Sequence, residues 1–430
     1  MIENETALLA NSIWSATVNE KISGKELFSS EQFDVAIIGG GLSGVSVAFH
    51  CSMLGLNACL IEKESIGWGA SGRNGGQVIP GLKELPEEIL SYFGKEMGQK
   101  IVALAGGAPD YVFNLIKKYK INCSGLQKGW IQASVSQNGL KMNKNLFKQW
   151  RAEGASVELL STPEIRSLIG SDTYTGGIFD SRGGKLHPLN YVIGLAKVAQ
   201  NNGICIYQKC PVLNIQRNAD SYKIDCPTGE ITAEKIILTT NGYGEEARGT
   251  RNKNVIPVQS VQVATTPLSD NILKTILPKG HVVSDTRRLL KYFRVSEDGR
   301  LLMGGRGGVS NRGTYLQIEG LKRSVSKMFP LIGDIQYDYS WGGNVALTLD
   351  HYPQISVFDN GVISLSGYNG RGVALTTVLG RVVAEFLNGV PAEELSFPIK
   401  RLKTIPFSRL HNIILPFAAW YKKLLDNVDQ

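Results

Sequence analysis

The sequence predicts a mixed α/β (α+β) fold in which a parallel-sheet domain is interleaved with a β-rich second domain. Three observations predict it: an apolar strand that runs through a glycine-rich turn into a helix, a second such turn near the C-terminus, and alternating strand patterns between them. A chain of 430 residues is long enough for two or three domains. Because no internal repeat or low-complexity linker divides the sequence, we expect interleaved rather than tandem domains.

The composition is that of an ordinary globular protein. Hydrophobic residues make up 43% and charged residues 20%, which excludes disordered and collagen-like chains. The net charge of +8 is modest and no basic run contains interleaved aromatic residues, so nucleic-acid binding is not expected. No apolar run of about 18 residues and no secretory leader pattern appears. The six cysteines include no Cys-x-x-Cys pair, so we expect free thiols, no metal site and a cytoplasmic location.

A strand–turn–helix segment near the N-terminus carries the strongest signal. Residues 33–38 form a short apolar run typical of a buried parallel strand, and residues 45–54 have helical character. The turn between them has the spacing G-x-G-x-x-G, supplied by Gly39, Gly41 and Gly44. The first glycine permits the tight turn, the second lets the backbone approach a pyrophosphate, and the third lets the helix pack on the sheet. The positive end of the helix then faces the phosphates.

An acidic residue lies where a dinucleotide site requires one. A second strand is predicted at 58–61, and Glu62 follows it, 18 residues after Gly44. A carboxylate at this strand tip accepts hydrogen bonds from ribose hydroxyls. The strand, the helix and the acid together predict a Rossmann-like dinucleotide-binding domain rather than a structural glycine turn.

A glycine-rich loop follows, where a nicotinamide-binding domain would continue to another strand and helix. Residues 67–77 contain five glycines together with Ser71, Arg73, Asn74 and Gln77. Such a stretch wraps a phosphate and a flat polar ring with backbone and side-chain donors. A flexible surface loop is the alternative interpretation.

The segment 69–77, placed after that βαβ unit, resembles the D-amino-acid-oxidase-type (DAO) FAD-dependent oxidoreductases. The chain is most similar to the bacterial gamma-glutamylputrescine-oxidase-like group, with glycine and sarcosine oxidases as more distant relatives. The resemblance runs from about residue 30 to about residue 425. It implies bound FAD and oxidation of the C–N bond of an amine or amino acid, with hydride transfer to flavin N5 and hydrolysis of the resulting imine.

The resemblance and the motifs together predict cofactor-binding residues in three parts of the chain. The N-terminal set is Gly39, Gly41, Leu42, Ser43, Gly44, Glu62, Lys63, Ala70, Ser71, Arg73, Asn74, Gly75, Gly76 and Gln77. The middle set is Val212, Asn241 and Gly242, and the C-terminal set is Gly343, Tyr368, Asn369, Gly370, Arg371, Gly372 and Val373. In the family, the residue matching Val212 meets the adenine through its backbone; a plain core position is the alternative. Turn chemistry alone is the alternative for Asn241 and Gly242.

The second glycine-rich turn has a mechanistic interpretation. A strand is predicted at 362–366, a turn at 367–372 and a helix at 373–387. A helix N-terminus beside the N1–C2=O side of a flavin, aided by a cation, favours the negatively charged reduced form. Arg371 is the candidate cation, although the family often has histidine there. A substrate or phosphate contact and an exposed salt bridge are the alternatives for this arginine.

The remaining segments predict a substrate domain made of insertions. We expect an FAD-binding domain from 1–88, 185–256 and 340–430, and a substrate-binding domain from 89–184 and 257–339. Residues 258–264 alternate as in a half-buried strand. Residues 292–305 predict a hairpin with its turn at Asp298–Gly299. The stretch 341–353 is expected to return to the FAD-binding domain.

Three residues are the expected walls of the substrate pocket. They are Tyr292, Arg294 and Trp341, with Arg294 as a carboxylate clamp. Domain packing is the alternative for each of them, and pairing with Glu297 is the alternative for Arg294.

Three departures from relatives constrain the chemistry. Val345 stands where glycine-oxidase-like members have an arginine for the substrate carboxylate, which argues against a simple α-amino acid held in that way. Leu302 stands nearest to a lysine that assists the reaction with oxygen in sarcosine-oxidase-like members, so oxygen and a quinone-type carrier both remain open as electron acceptors. Those members attach flavin to a C-terminal-half cysteine, whereas the last cysteine here is Cys226, so we expect noncovalent FAD.

Residues 409–425 are amphipathic at helical spacing. Docking on the inner face of the membrane is one interpretation, and packing on the protein's own body is the other. Two alternatives to an amine oxidase remain open: a membrane-peripheral dehydrogenase that passes electrons to a quinone or other carrier, and a non-catalytic FAD-binding scaffold or subunit.

Overall fold

The computed structural model describes residues 8–244, 255–308 and 311–401. The amphipathic segment 409–425 lies outside the described residues. The helices are α1 (Ile13–Ala16), α2 (Leu42–Met53), α3 (Pro86–Phe93), α4 (Lys95–Gly106), α5 (Ala108–Lys118), α6 (Gln137–Ala152), α7 (Thr162–Ile169), α8 (Pro188–Asn201), α9 (Asp270–Leu273), α10 (Asn311–Met328) and α11 (Gly372–Leu387). Among these residues, no helix is both long and apolar enough to cross a bilayer.

The strands alternate with these helices along the chain. They are β1 (Ser30–Ile38), β2 (Ala58–Ile61), β3 (Gln77–Val78), β4 (Trp130–Ser134), β5 (Val157–Leu160), β6 (Gly176–Asp180), β7 (Gly184–Lys185), β8 (Cys205–Tyr207), β9 (Asn214–Arg217), β10 (Tyr222–Cys226), β11 (Gly229–Leu238), β12 (Ile256–Thr265), β13 (Val282–Asp285), β14 (Tyr292–Val295), β15 (Leu301–Arg306), β16 (Tyr337–Leu347), β17 (Gln354–Val357), β18 (Ile363–Ser366) and β19 (Ile399–Arg401).

The first glycine-rich turn lies at the carboxyl edge of a largely parallel sheet. Over the described residues this sheet has nine strands in the order β19-β17-β18-β11-β1-β2-β8, with β10 and β9 attached beside β11. Val35 of β1 lies opposite Ala58 of β2, and Ile37 lies opposite Ile237 of β11, all in parallel register. The predicted parallel strands at 33–38 and 58–61 are confirmed, and β11 is a third parallel strand beside β1. Because parallel strands end at the same edge, the residues that follow β1, β2 and β11 come together.

Helices α2 and α11 pack side by side against this sheet. The Ser46 hydroxyl of α2 donates to the Thr377 carbonyl of α11 at 2.8 Å. Close packing of α2 depends on Gly44, because a Cβ there would lie 2.0 Å from the Gly39 carbonyl oxygen. The strand–helix–strand prediction and the Rossmann-like fold class are therefore confirmed.

A second sheet, antiparallel except for the parallel pair β13 and β4 and called the antiparallel sheet below, forms the second layer. Its described strands run in the order β16-β12-β15-β14-β13-β4-β6-β5. The predicted hairpin of β14 and β15, with its turn at Asp298–Gly299, is confirmed. Helix α10 covers one face of the sheet, where Val325 packs in the same core as Val263 and Met303. The opposite face meets the glycine-rich loop.

Two strand predictions need correction. Strand β12 is buried continuously from Val261 to Thr265 instead of alternating, because α10 covers one face and Gln262 on the other donates to the Arg73 carbonyl at 2.6 Å. Strand β16, expected from Trp341 onwards to return to the FAD-binding domain, pairs with β12 through Leu347. The boundaries of the two domains otherwise stay a prediction.

His187 ties the start of α8 to the N-terminal segment. The Asn190 N–H donates to Nδ1 of His187 at 3.1 Å and caps the helix. The proton is therefore on Nε2, which lies 3.1 Å from the Thr17 hydroxyl. The ring stacks edge-on at 5.0 Å from Trp14. Burial, together with the charge of Arg294, lowers the pKa of His187 to about 4.

This histidine predicts an acid-sensitive fold. The unfolded chain protonates His187 below its ordinary pKa of 6.5, whereas the folded chain keeps it neutral down to about 4. The free energy of unfolding therefore falls as the pH drops through that window. His187→Asn retains a capping acceptor but does not titrate. Between pH 6.5 and 4 we expect the variant to lose about 3 kcal/mol less stability than the wild type in urea titrations. Parallel pH profiles would refute this assignment.

Candidate active site

A cavity of about 640 Å³ lies between the carboxyl edge of the parallel sheet and the antiparallel sheet. Gly39, Glu62 and Thr239, which follow β1, β2 and β11, line one side. Val258 of β12 and Val345 of β16 line the other. The sequence-predicted cofactor residues that line the cavity are Gly39, Gly41, Leu42, Ser43, Glu62, Lys63, Ala70, Ser71, Asn74, Val212, Asn241, Gly242, Tyr368, Gly370, Gly372 and Val373. Segments far apart in the chain thus meet at one site.

The N-termini of α2 and α11 both open into this cavity. Ser43 of α2 and Val373 of α11 line it, and neither N-cap residue, Gly41 or Arg371, caps its helix with a side-chain hydrogen bond. The Ser43 hydroxyl lies 2.6 Å from the hydroxyl of Tyr368, which links the two helix ends. A helix N-terminus presents backbone N–H donors and a partial positive charge to an anion. Two such ends at one cavity are suited to a diphosphate and to a ring that gains negative charge.

Gly41 brings the loop and the start of α2 together. The Ser71 hydroxyl of the glycine-rich loop accepts the Leu42 N–H at 2.7 Å. A Cβ on Gly41 would lie 2.9 Å from that hydroxyl oxygen. The absence of a side chain at this position leaves the backbone open to the cavity, as a phosphate contact requires.

Glu62 occupies the strand end where a ribose-binding acid is expected. Its carboxylate accepts the N–H groups of Gly40 and Glu64, which hold the side chain at the cavity wall. Burial raises the pKa of Glu62, and the two backbone hydrogen bonds oppose that shift. Lys63 and Val212 line the cavity near this acid.

The residues present fit FAD. Besides the two helix ends and Glu62, the Thr240 hydroxyl lines the cavity, is buried, and has no hydrogen-bond partner among the described residues. A buried hydroxyl that lacks a partner among the described residues can hydrogen-bond to a polar group bound in the cavity. The α2 N-terminus would hold the diphosphate, Glu62 the ribose, and the α11 N-terminus the flavin ring. These assignments stay predictions for the individual residues.

Eight other predicted cofactor residues do not line the cavity. They are Gly44, Arg73, Gly75, Gly76, Gln77, Gly343, Asn369 and Arg371. The Asn74 amide donates to the Ser71 carbonyl at 2.7 Å and accepts the Gly76 N–H at 2.8 Å. The Gln77 amide donates to the Val283 carbonyl at 3.0 Å and so joins the loop to the antiparallel sheet.

Arg294 fastens this loop. Its guanidinium donates to the carbonyl oxygens of Leu186 at 2.7 Å and Gly76 at 3.1 Å, and lies 5.3 Å above the Trp14 ring. Burial lowers its pKa to about 10. Because these hydrogen bonds go to the loop and Arg294 does not line the cavity, the structure does not support its expected role as a carboxylate clamp.

Tyr292 and Trp341 also join the sheet to the loop. The Trp341 indole N–H donates to the Arg73 carbonyl at 2.9 Å. The Tyr292 ring packs over Gly75, and its hydroxyl lies 3.0 Å from the Ser260 hydroxyl. Neither residue lines the cavity, so of the two interpretations offered for them the structure favours domain packing.

The Arg371 side chain points away from the cavity in which the flavin contact was expected. Its guanidinium donates to the Pro80 carbonyl at 2.7 Å and lies 5.2 Å from the Trp130 ring. Burial lowers its pKa to about 10, against the attraction of Glu84. Gly372 lines the cavity but Arg371 does not, so the backbone end of α11, rather than the guanidinium, faces the site.

Sequence reasoning missed the part of the wall that the antiparallel sheet, the residues after β15 and the start of α10 supply. Its residues are Pro257, Val258, Gln259, Arg306, Gly307, Gly308, Thr314, Asn344, Val345 and Ala346. Among them the sequence singles out only Val345, as a departure from relatives. Alternation along β15 places Arg306 on one face of that strand, but which face meets the other sheet depends on contacts that the local sequence does not encode.

Comparison with known proteins identifies the family. The family model for the FAD-dependent oxidoreductases (DAO) matches residues 34–386. A gamma-glutamylputrescine oxidoreductase of Escherichia coli is 31% identical over 412 residues, covering 95% of this chain and 96% of that protein. A probable oxidoreductase, OrdL, of Haemophilus influenzae is also 31% identical, covering 86% of each chain.

Solved structures share the fold. The glycine oxidase from Geobacillus kaustophilus superposes with a TM-score of 0.69 at 20% identity, covering 83% of this chain and 95% of that chain. The L-proline dehydrogenase from P. horikoshii gives 0.68 at 19% identity, covering 83% and 94%.

The chain belongs to the DAO family, as segment 69–77 indicated. It is an FAD-dependent oxidoreductase, and FAD is its cofactor.

Proposed function

We propose that this protein oxidises the C–N bond of an amine or amino acid. The observation that carries the proposal is the convergence of two helix N-termini on one cavity. The described residues of its opposite wall include the apolar Val258, Val345 and Ala346 and a single guanidinium, that of Arg306. When bound, FAD accepts hydride at N5 from the carbon beside the nitrogen, and water hydrolyses the resulting imine. The similarity to gamma-glutamylputrescine oxidoreductase supports an amine donor.

The chain supplies orientation and electrostatics to this reaction. The α11 N-terminus, through Gly372 and Val373, stabilises negative charge that develops on the ring beside it. Val258, Val345 and Ala346 exclude water from the opposite wall and favour an uncharged amine. No carboxylate or histidine lies among the described lining residues of the antiparallel sheet, so the proposal has the substrate nitrogen enter in its neutral form and assigns no protein base on that wall.

Product analysis tests the proposal. Purified holoenzyme is incubated with a panel of amines and amino acids, including N-substituted ones, and an artificial dye as electron acceptor. We expect at least one donor to give a carbonyl compound in an amount equal to the dye reduced. The apoprotein serves as the control. A panel that yields neither carbonyl compound nor reduced dye would leave the scaffold interpretation as the better account.

A dehydrogenase is the second candidate function, and the residue at position 302 favours it. Leu302 is buried in a core that includes Trp341, at the place nearest to the lysine of oxygen-using relatives. Without a cation there, we expect electrons to pass faster to a quinone or dye than to oxygen. Oxygen consumption and quinone reduction, measured with the same donor, separate the two candidates.

A further inference from the structure

Strand alternation sets which face of the antiparallel sheet meets the cavity. A Cβ on Gly305 would lie 3.2 Å from Leu321 of α10, so Gly305 faces that helix. A Cβ on Gly304 would meet the ring of Tyr292 on the opposite face. Because successive side chains point to opposite faces, Arg306 shares the cavity face with Gly304. The presence of Arg306 in the cavity lining agrees with this alternation.

Polar groups flank Arg306 where it enters the cavity. Ser260 of β12 lies opposite it in the antiparallel register. The Gln259 carbonyl accepts the Gly307 N–H at 2.7 Å, and the Gln259 side chain accepts the hydroxyl proton of Thr314. Gln259 and Thr314 both line the cavity. Arg306, Gln259 and Thr314 thus supply polar groups to a wall that also contains the apolar Val258, Val345 and Ala346.

The charges of the cavity are separated. Two acidic side chains, Glu62 and Glu64, line it within the described residues, and both follow β2 of the parallel sheet. Arg306 lies on the antiparallel wall, is half-buried, and has its pKa lowered by that burial. A guanidinium withdrawn from water beside an apolar wall gains most from an anion that fits its planar fork.

The strand order also sets the distance between Arg306 and the turn that precedes α11. The Asn369 N–H donates to the Ala346 carbonyl at 3.3 Å, so the turn before α11 abuts β16. Strand β15, which carries Arg306, is separated from β16 by β12. Two strand spacings amount to about 10 Å. An anion on Arg306 is therefore remote from the end of the cavity where α11 begins.

We propose that Arg306 binds a carboxylate of the substrate, several bonds from the oxidised carbon, and thereby selects amines that carry a distal carboxylate over neutral amines. The inference rests on the proposed C–N oxidation. In this arrangement the apolar segment of the substrate lies along Val258 and Val345, and the carboxylate reaches the corner formed by Gln259 and Thr314. Arg306 is then a specificity-determining residue, separate from the groups that hold the flavin.

The test compares two donors that differ only in the distal group, 5-aminopentanoate and pentylamine. The holoenzymes are the wild type, Arg306→Gln, Arg306→Lys and, as a matched control, Arg300→Gln. Arg300 lies in the same hairpin but pairs with Asp298 and Asp338 away from the cavity. Two quantities are measured: the anaerobic rate of flavin reduction at each donor concentration, and the perturbation of the flavin spectrum by pentanoate, which does not react.

We expect Arg306→Gln to raise the half-saturating concentration of 5-aminopentanoate and the dissociation constant of pentanoate about 30-fold. The half-saturating concentration of pentylamine should be the same in Arg306→Gln as in the wild type. For 5-aminopentanoate, Arg306→Lys should give a value between those of the wild type and Arg306→Gln, because lysine keeps the charge but not the planar fork. Flavin content and the pentylamine data show whether each variant is folded.

The outcomes separate the inference from the proposed function. If Arg306→Gln raises the half-saturating concentrations of both donors by the same factor, or raises neither, the carboxylate site is wrong while amine oxidation stands. If neither donor reduces the wild-type flavin but pentanoate binding still depends on Arg306, the carboxylate site stands and amine oxidation is in question. If pentanoate binds the wild type and Arg306→Gln alike, the inference is overturned whatever the donors do.

Discussion

Gly41→Val is expected to give a folded protein that purifies without FAD. The backbone of Gly41 (φ −80°, ψ −179°) is accessible to valine, so the substitution adds little backbone strain. Its Cβ would meet only the Ser71 hydroxyl, at the end of a side chain that can rotate. The added methyl groups, however, occupy the approach to the α2 N-terminus that a diphosphate needs. We expect the dissociation constant of FAD to rise by at least about 100-fold, or about 3 kcal/mol.

The measurement is FAD titration of apoprotein, with thermal unfolding of the same samples. Gly320→Ala in α10 is the matched control, because its Cβ would meet nothing closer than 3.9 Å. That variant should bind FAD like the wild type. The free energy of unfolding of apo Gly41→Val should lie within about 1 kcal/mol of that of the wild-type apoprotein. This margin allows for valine being a poorer N-cap residue than glycine. Stoichiometric, tightly bound FAD in Gly41→Val would show that the diphosphate lies elsewhere.

Arg294→Ala is expected to destabilise the protein strongly and to weaken FAD binding with it. The substitution leaves the Leu186 and Gly75 carbonyls without a buried donor, removes one of the two donors to the Gly76 carbonyl, and removes the guanidinium from the Trp14 ring. Each buried acceptor that loses its partner costs about 1 kcal/mol or more, so the free energy of unfolding should fall by about 3 kcal/mol. The loop 67–77 then loses its fixed shape, and FAD affinity falls.

A surface arginine provides the comparison for Arg294. Arg217 at the end of β9 is exposed, and Arg217→Ala should change stability by no more than about 0.5 kcal/mol. Unfolding of both holoproteins in urea, with FAD release followed by fluorescence, measures the effect. If Arg294→Ala retained full stability and raised only the KM of the amine substrate, the arginine would be a substrate clamp after all, and the loop-fastening role would be wrong.

The cofactor half of the site was predictable because its signals are local. The turn from Gly39 to Gly44, the acid at Glu62 and the second turn before α11 each depend on a few consecutive residues. Strand, turn and helix chemistry act over the same distance, so the sequence predicts their geometry directly. All three segments line the cavity that the structure contains.

The substrate half was not predictable in the same way. Tyr292, Arg294 and Trp341 are the conspicuous side chains of the antiparallel strands, and all three join the sheet to the loop. Arg306 lines the cavity instead. The choice between these residues depends on how β12, β15 and β16 pair and which face meets the loop, which are contacts between segments distant in sequence. The same contacts explain why β16 extends the antiparallel sheet and why β12 is buried on both faces.

Anaerobic titration of the flavin spectrum tests the central claim most directly. Amines and amino acids are added to the oxidised holoenzyme without oxygen, and the visible absorbance of the flavin is followed. The account predicts that at least one donor bleaches the flavin in proportion to the amount added, until one donor has been consumed per flavin. If dithionite bleaches the bound flavin but every amine and amino acid leaves it oxidised, C–N oxidation is not the function of this site.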